Sequence, residues 1–336
     1  MSFFESLDIR SSTDRPDFPS EEYGDFMALL TKWNLSEACG SDILKFSRKI
    51  CRDDVRLPTS VKQGHQLMDQ MNVPHISFRK APIMTYMKET HYLYYRPIFD
   101  AIKELLSNQE IFDNCTFEFT PLYHEGQRIY SEQYNGEWWE RVQNSLPRLA
   151  KVLSIILYSD ATTCDHLGKS SEHPVYLTLG NIISWRRNKP DAKVLLGYLP
   201  QLKAKTISQK ISEGFRLAKR ALYQYSLDIL IRSLLDYQSD GFDLKTDNDV
   251  LWCYPFISVM LGDLPENAAL TLTFNSANCS HPCHACLVEG DKLNNAKLSD
   301  DQIVLRTTGT MKAFVDQGVA QQYSLHDMKN IFWRYP

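Results

Sequence analysis

Hydrophobic and polar positions change their rhythm near residue 150. Upstream, "FMALLTKWNLSEACGSDILKFSRKI" (26–50) and "YLYYRPIFDAIKELLSNQEIF" (92–112) place apolar residues three or four apart, the stripe of an amphipathic helix. Pro97 suits the first turn of the second helix, where its missing N–H costs nothing. Between them "RLPTSVKQGHQLMDQM" (56–71) reads as a loop entering a short helix, so residues 1–148 are predicted to form a mostly α-helical N-terminal region.

From Val152 the pattern predicts strands, and residues 149–336 are assigned to a second, α/β region. "VLSIILYSD" (152–160) is a continuous apolar run closed by an acid, as expected of a buried central strand. "HPVYLTLGNI" (173–182) and "AKVLLGYLP" (192–200) flank the polar "SWRRNKPD" and read as a hairpin. Ile207, Ile211, Phe215, Ala218, Leu222, Tyr225 and Ile229 then keep helical spacing, predicting one long helix stopped near Ser239–Gly241. "LWCYPFISVMLGD" (251–263) supplies a fourth strand, predicted to start effectively after Pro255 because proline cannot donate to a ladder, and it too ends in an acid.

Strand, strand, strand, helix, strand is the order of an RNase H-like mixed sheet. If the first and fourth strands are neighbours, Asp160 and Asp263 emerge side by side. Hard carboxylate oxygens so placed suit Mg2+ or Mn2+ in phosphoryl transfer, where paired ions stabilise the attacking and leaving oxygens. Each aspartate taken alone has a plainer reading, as a turn residue capping local backbone.

Composition narrows the setting. The 336 residues are 43% hydrophobic, enough for a real core, and no run of about 18 apolar residues is available to span a membrane. A cytosolic or nuclear setting is expected, in which the eight cysteines are thiols rather than disulfides. Cys39, Cys51, Cys115, Cys164 and Cys253 stand alone and read as small buried hydrophobes. The net charge of −4 argues against a chain dominated by nucleic-acid binding, yet ten Lys and Arg against two acids lie between Arg186 and Arg220. Arg186, Arg187 and Lys189 are candidate DNA-backbone contacts at a hairpin tip; a solvated charge run is the competing reading. Trp138 and Trp139 could stack on bases, but paired tryptophans more often pack.

The remaining cluster is "NCSHPCHACLVEG" (278–290). Cys283 and Cys286 form a Cys-x-x-Cys turn able to grip one Zn2+, with Cys279, His281, His284 and His326 as candidates for the other ligands. A structural zinc site, unliganded thiols and a redox dithiol all remain open.

Several long motifs carry a family resemblance. "LYSDATTCDHLGKSSEHPVYLTLGNIISWRRNKPDAKVLLGYLP" (157–200) and "PFISVMLGDLPENAALTLTFNSANCSHPCHACL" (255–287) resemble the first- and second-aspartate segments of Plavaka-type transposases, a branch of the CACTA superfamily of DNA transposons. "RIYSEQYNGEWWERVQNSLP" and "YSLHDMKNIFW" resemble flanking motifs, so the similarity runs from about Phe18 to the C-terminus. It implies a DDE/D transposase with an RNase H-like core, acting on transposon-end DNA in the nucleus with Mg2+ or Mn2+ at Asp160 and Asp263. It also implies a Cys-x-x-Cys insertion, here spanning about 276–325, whose Cys283 and Cys286 would hold a structural Zn2+ together with later histidines; within this chain Cys279 and His284 are the preferred candidates for the other ligands. The family's third acid lies on a later helix that no segment up to Pro336 matches. The chain is therefore expected to be C-terminally truncated and incomplete as a catalyst. A domesticated, non-enzymatic DNA- or protein-binding module that keeps the zinc site is the rival expectation, and homo-oligomer formation a further one.

Overall fold

The computed structural model describes residues 6–9, 18–33, 35–51, 55–71, 77–163, 171–276 and 278–335. Cys164 lies outside them. The chain divides into two compact units, one of residues 11–77 and one of residues 1–10 with 78–336.

The smaller unit holds α1 (Glu21–Lys32), α2 (Glu37–Ile50) and α3 (Val61–Gln70). Each is capped by a serine, Ser20, Ser36 or Ser60, whose side chain accepts a backbone N–H of the first turn. The first predicted helix is thus two, because Ser36 offers a new N-terminus. Tyr23, Phe26, Met27, Leu30, Leu44 and Val61 form the core of this unit.

The larger unit is a mixed α/β structure. Its strands are β1 (Ser6–Asp8), β2 (Arg79–Tyr86), β3 (Glu89–Tyr95), the small hairpin β4 (Leu122–His124) and β5 (Gln127–Ile129), β6 (Lys151–Ser159), the short pair β7 (Thr162–Thr163) and β8 (Ser171–Glu172), β9 (Pro174–Leu179), β10 (Val194–Tyr198), β11 (Phe242–Lys245) and β12 (Val250–Leu261). Its helices are α4 (Ile98–Leu106), α5 (Gln109–Phe112), α6 (Glu137–Ser145), α7 (Ser184–Arg187), α8 (Ile207–Ile211), α9 (Glu213–Ile231), α10 (Leu264–Thr271) and α11 (Thr308–Asp316). Eight strands join in one sheet in the order β1-β11-β12-β6-β9-β10-β3-β2.

The four strands expected from the sequence sit consecutively in that sheet. β6, β9 and β10 run antiparallel in turn, and β12 lies beside β6 in parallel, its pairing running from Cys253–Lys151 to Leu261–Tyr158. α9 lies between the third and fourth of these strands in the chain. It contributes Leu227, Leu230 and Ile231 to the same core as Leu153, Ile155, Leu157, Val175 and Leu177 of the sheet.

Three local expectations change. "YLYY" (92–95) is strand, and the helix begins only after Pro97, so β3 with β2 extends the sheet from β10. The long helix is interrupted at Ser212, whose hydroxyl caps α9 by accepting from Phe215 N–H. β12 starts at Val250 rather than after Pro255; β11 pairs only as far as Cys253, so one side of the strand has no ladder for Pro255 to interrupt. Among the solitary cysteines Cys253 is buried and Cys115 half-buried, whereas Cys39 and Cys51 are exposed, contrary to the expectation of burial.

Candidate active site and cysteine knuckle

The parallel register of β6 and β12 fixes where the two acids emerge. Tyr158 and Leu261 are partners, and Asp160 and Asp263 each follow two residues later, at the same edge of the sheet. Tyr158 Oη donates to Asp160 Oδ2 at 3.1 Å. Desolvation raises the pKa of this phenol, and the nearby charges of Asp160 and then Asp263 raise it further, so both carboxylates bear on one hydroxyl.

Asp263 also opens α10. Its Oδ1 accepts the Glu266 N–H at 2.7 Å, the bond of an N-cap, and Pro265 occupies the first turn. Gly262 permits the tight entry, since a Cβ there would stand 2.7 Å from Glu266 Cγ.

One turn into α10 the Glu266 side chain is buried. His173 Nε2 lies 2.9 Å from its Oε1, and Tyr223 Oη of α9 donates to the same oxygen. Burial by itself would raise the Glu266 pKa, but the hydrogen bonds from His173 and Tyr223 hold it below the usual value. The three groups come from the residue before β9, from α9 and from α10, and tie those elements together one turn along α10 from Asp263.

The cysteine segment is held by Arg306. Its Nε donates to the carbonyls of Cys283 and Cys286 at 2.9 and 3.2 Å, and its Nη2 to those of His281 and Tyr323 at 3.1 and 2.9 Å. A bridge between Cys286 and Leu305 closes the loop. Cys283 Sγ accepts the Ala285 N–H at 3.3 Å. Although burial opposes it, the Cys283 thiol is pulled below its usual pKa by the Ala285 and Cys286 N–H groups and the Cys286 thiol, while burial pushes Cys286 up. Two sulfurs in contact, one served by backbone N–H groups, fit two corners of a tetrahedral zinc site. Cys279 instead donates its thiol to Ser276 O at 2.9 Å. His326 packs on Phe274 with ring centroids 4.7 Å apart. Among the described residues no group of three or more His, Cys, Asp and Glu is placed to hold a metal ion.

A family model described as Plavaka transposase matches residues 62–335. The chain belongs to the Plavaka transposase family. No curated protein matches it. Membership of the Plavaka transposase family implies DNA binding and, in general terms, the use of divalent metal. Among the described residues no helix is long and apolar enough to cross a membrane.

On this Plavaka transposase-family chain, the basic triplet is split by burial. Arg186 is 1% exposed and forks onto Asp191, Nη1–Oδ1 at 2.9 Å and Nη2–Oδ2 at 2.6 Å. That pairing holds the Asp191 carboxyl below its usual pKa. Arg187 Nη1 donates to Ile182 O at 2.7 Å and Nη2 to Ser184 Oγ at 2.9 Å. Lys189 is exposed. Trp139 is buried, and Trp138 meets it and Phe256 edge-on, so the tryptophan pair packs.

Sequence reasoning does not single out Glu266, His173, Tyr223 or Arg306. For Glu266 a signal exists: "DLPE" is an N-cap followed three residues later by a glutamate, the pattern that opens a helix. The other three are single residues far apart in the chain and carry no local pattern.

Proposed function

We propose that this chain is the DNA-processing portion of a transposase, cutting and rejoining strands at transposon ends through an RNase H-like core in which Asp160 and Asp263 share a divalent cation. The observation that carries this reading is the parallel β6–β12 register, which delivers both carboxylates two residues beyond paired positions at one sheet edge. The flanking order β12-β6-β9-β10, with α9 between β10 and β12 in the chain, supports it. Mg2+ or Mn2+ bound there would supply Lewis-acid activation of a water or a 3′-hydroxyl. The chain's own part is to hold the two carboxylates at fixed strand ends. Tyr158 donates to Asp160, and the Asp263 cap anchors the second acid to α10.

Glu266 is not the third acid in this reading, because its buried oxygen is already shared by His173 and Tyr223. Cys283 and Cys286 hold a structural Zn2+ with further ligands beyond the assembled pair, Cys279 and His284 being the nearest in sequence. Lys189 is the member of the basic triplet whose exposure suits phosphate contact. A nuclear site of action and self-association accompany a transposon-end substrate.

A second reading, a non-enzymatic DNA- or protein-binding module on the same fold, is favoured by the lack of a third metal-binding side chain beside the acid pair among the described residues. One assay separates the two. Purified protein with Mn2+ and a nicked or terminal-repeat duplex is scored for cleavage beside Asp160→Ala. Cleavage lost in the variant supports the enzyme, and equal activity in both, or none in either, removes it.

A further inference from the structure

One face of the large sheet is only half covered. Alternate positions along its strands turn Leu93, Leu157, Val175, Leu177 and Leu196 into the core under α4 and α9. On the opposite face the N-terminal end of β6 is closed by the segment before α6 and by α6 itself. Ser154 Oγ donates to Gln133 Oε1 at 2.6 Å there, and Trp138 meets Phe256. Beyond that lid the face is open, and what it presents is a row of tyrosines.

The row is set by strand register. Tyr158 of β6 pairs with Tyr176 of β9, and their rings stack with centroids 6.5 Å apart and planes 28° apart. Tyr198 of β10 pairs with Tyr94 of β3, which pairs with Lys80 of β2. Lys80 Nζ lies 4.1 Å from the centroid of Tyr92 and 5.4 Å from that of Tyr94. Tyr158, Tyr176 and Tyr94 are 42, 36 and 48% exposed, an unusual state for aromatic rings on a central sheet. The row begins at the acid pair, since Tyr158 is the residue bonded to Asp160. At its other end β10 runs from Tyr198 into a segment with exposed Lys203 and Lys205.

We propose that this tyrosine row is a stacking platform for single-stranded nucleic acid leading to or from the acid pair. The inference rests on the DNA-processing reading above and adds to it the form of the ligand. Ring faces that alternate across strands accept unpaired bases of any sequence, and the lysine at the far edge with those after β10 meets the phosphates. A duplex offers its bases only as edges, so such a row has little to stack on until strands are separated. Leu261, paired with Tyr158 and 49% exposed, is an aliphatic neighbour at the acid end, and beyond it the row offers ring faces and lysines, which suit bases and phosphates.

The test is run on the whole chain in chelator, so that no cleavage takes place. A protein that cuts no DNA can then still pass it, and one that cuts through the acid pair can still fail. A labelled oligothymidine and the same strand annealed to its complement are titrated with wild type, Tyr94→Ala, Tyr176→Ala, Tyr94→Phe, and Tyr225→Ala as a surface control on α9. The expected result is preference for the single strand, about ten-fold weaker single-strand binding for each Ala variant as one stacked base is lost, and wild-type binding for Tyr94→Phe and Tyr225→Ala. Equal single-strand affinity in the Ala variants and wild type would overturn the proposal. So would a wild type that binds only duplex, or Ala variants that change the oligomeric state in place of the affinity. Photocrosslinking of an iodouracil-substituted strand gives a readout independent of variant folding. Crosslinks within 92–95 or 174–179 support the platform, and crosslinks confined to other segments contradict it.

Discussion

His173 Nε2 stands 2.9 Å from Glu266 Oε1, with both side chains nearly buried. With Tyr223 donating to the same oxygen, the carboxylate has two donors that would be left unsatisfied without it. Removing one partner from such a buried set costs more than the net worth of the bonds, because the orphaned groups stay desolvated. Glu266→Ala is expected to lower unfolding free energy by about 3 kcal/mol, and Glu266→Gln by less, since an amide oxygen still accepts. Urea unfolding of both variants measures the difference.

Acid sensitivity follows from two depressed pKa values. Burial, with help from the Arg220 charge, lowers His326 to about 4. The unfolded chain therefore binds a proton that the folded chain refuses, and the stability linked to His326 is complete above its ordinary pKa near 6.5 and is lost as pH falls towards 4. Glu266, also depressed, acts in the same direction but lower, its contribution fading as pH falls below its ordinary value of 4.5. His326→Phe is predicted to flatten the stability profile between pH 6.5 and 4, and Glu266→Gln only the more acidic part. Thermal unfolding across that range separates them.

Arg306 holds four carbonyls of the cysteine region with one side chain. Arg306→Lys keeps the charge but lacks the planar fork, so it cannot reach all four. Limited proteolysis should nick the variant between residues 276 and 306 well before wild type, at unchanged far-UV circular dichroism.

Zinc in the knuckle is tested by metal content. Protein purified without chelator is expected to carry zinc, and Cys283→Ser or Cys286→Ser to lose it, because either change removes one of the two thiols already in contact. Elemental analysis of the three proteins gives the answer, with zinc-free wild type as the contrary result.

Legibility in the sequence tracked how local the determining pattern was. The adjacency of the runs closed by Asp160 and Asp263 is legible because each is long and apolar, and the sheet does place them side by side in parallel. "YLYY" is not, because three-to-four spacing and strand alternation both fit so short an aromatic run, and Pro97 alone does not decide between them. Arg186 reads as a surface charge, but its side chain is buried and is paired by Asp191, five residues on, whose own carboxylate stays exposed. The Glu266 cluster and the tyrosine row are assembled from separate segments by register, and no single stretch contains the information.

In the proposed function Asp160 and Asp263 share one divalent cation. Mn2+ binding to wild type, Asp160→Asn and Asp263→Asn, followed by the loss of the free-ion electron paramagnetic resonance signal, tests it directly. Wild type is predicted to bind Mn2+ and each single variant to lose that binding to a similar extent. Wild-type affinity retained in either variant would contradict the account.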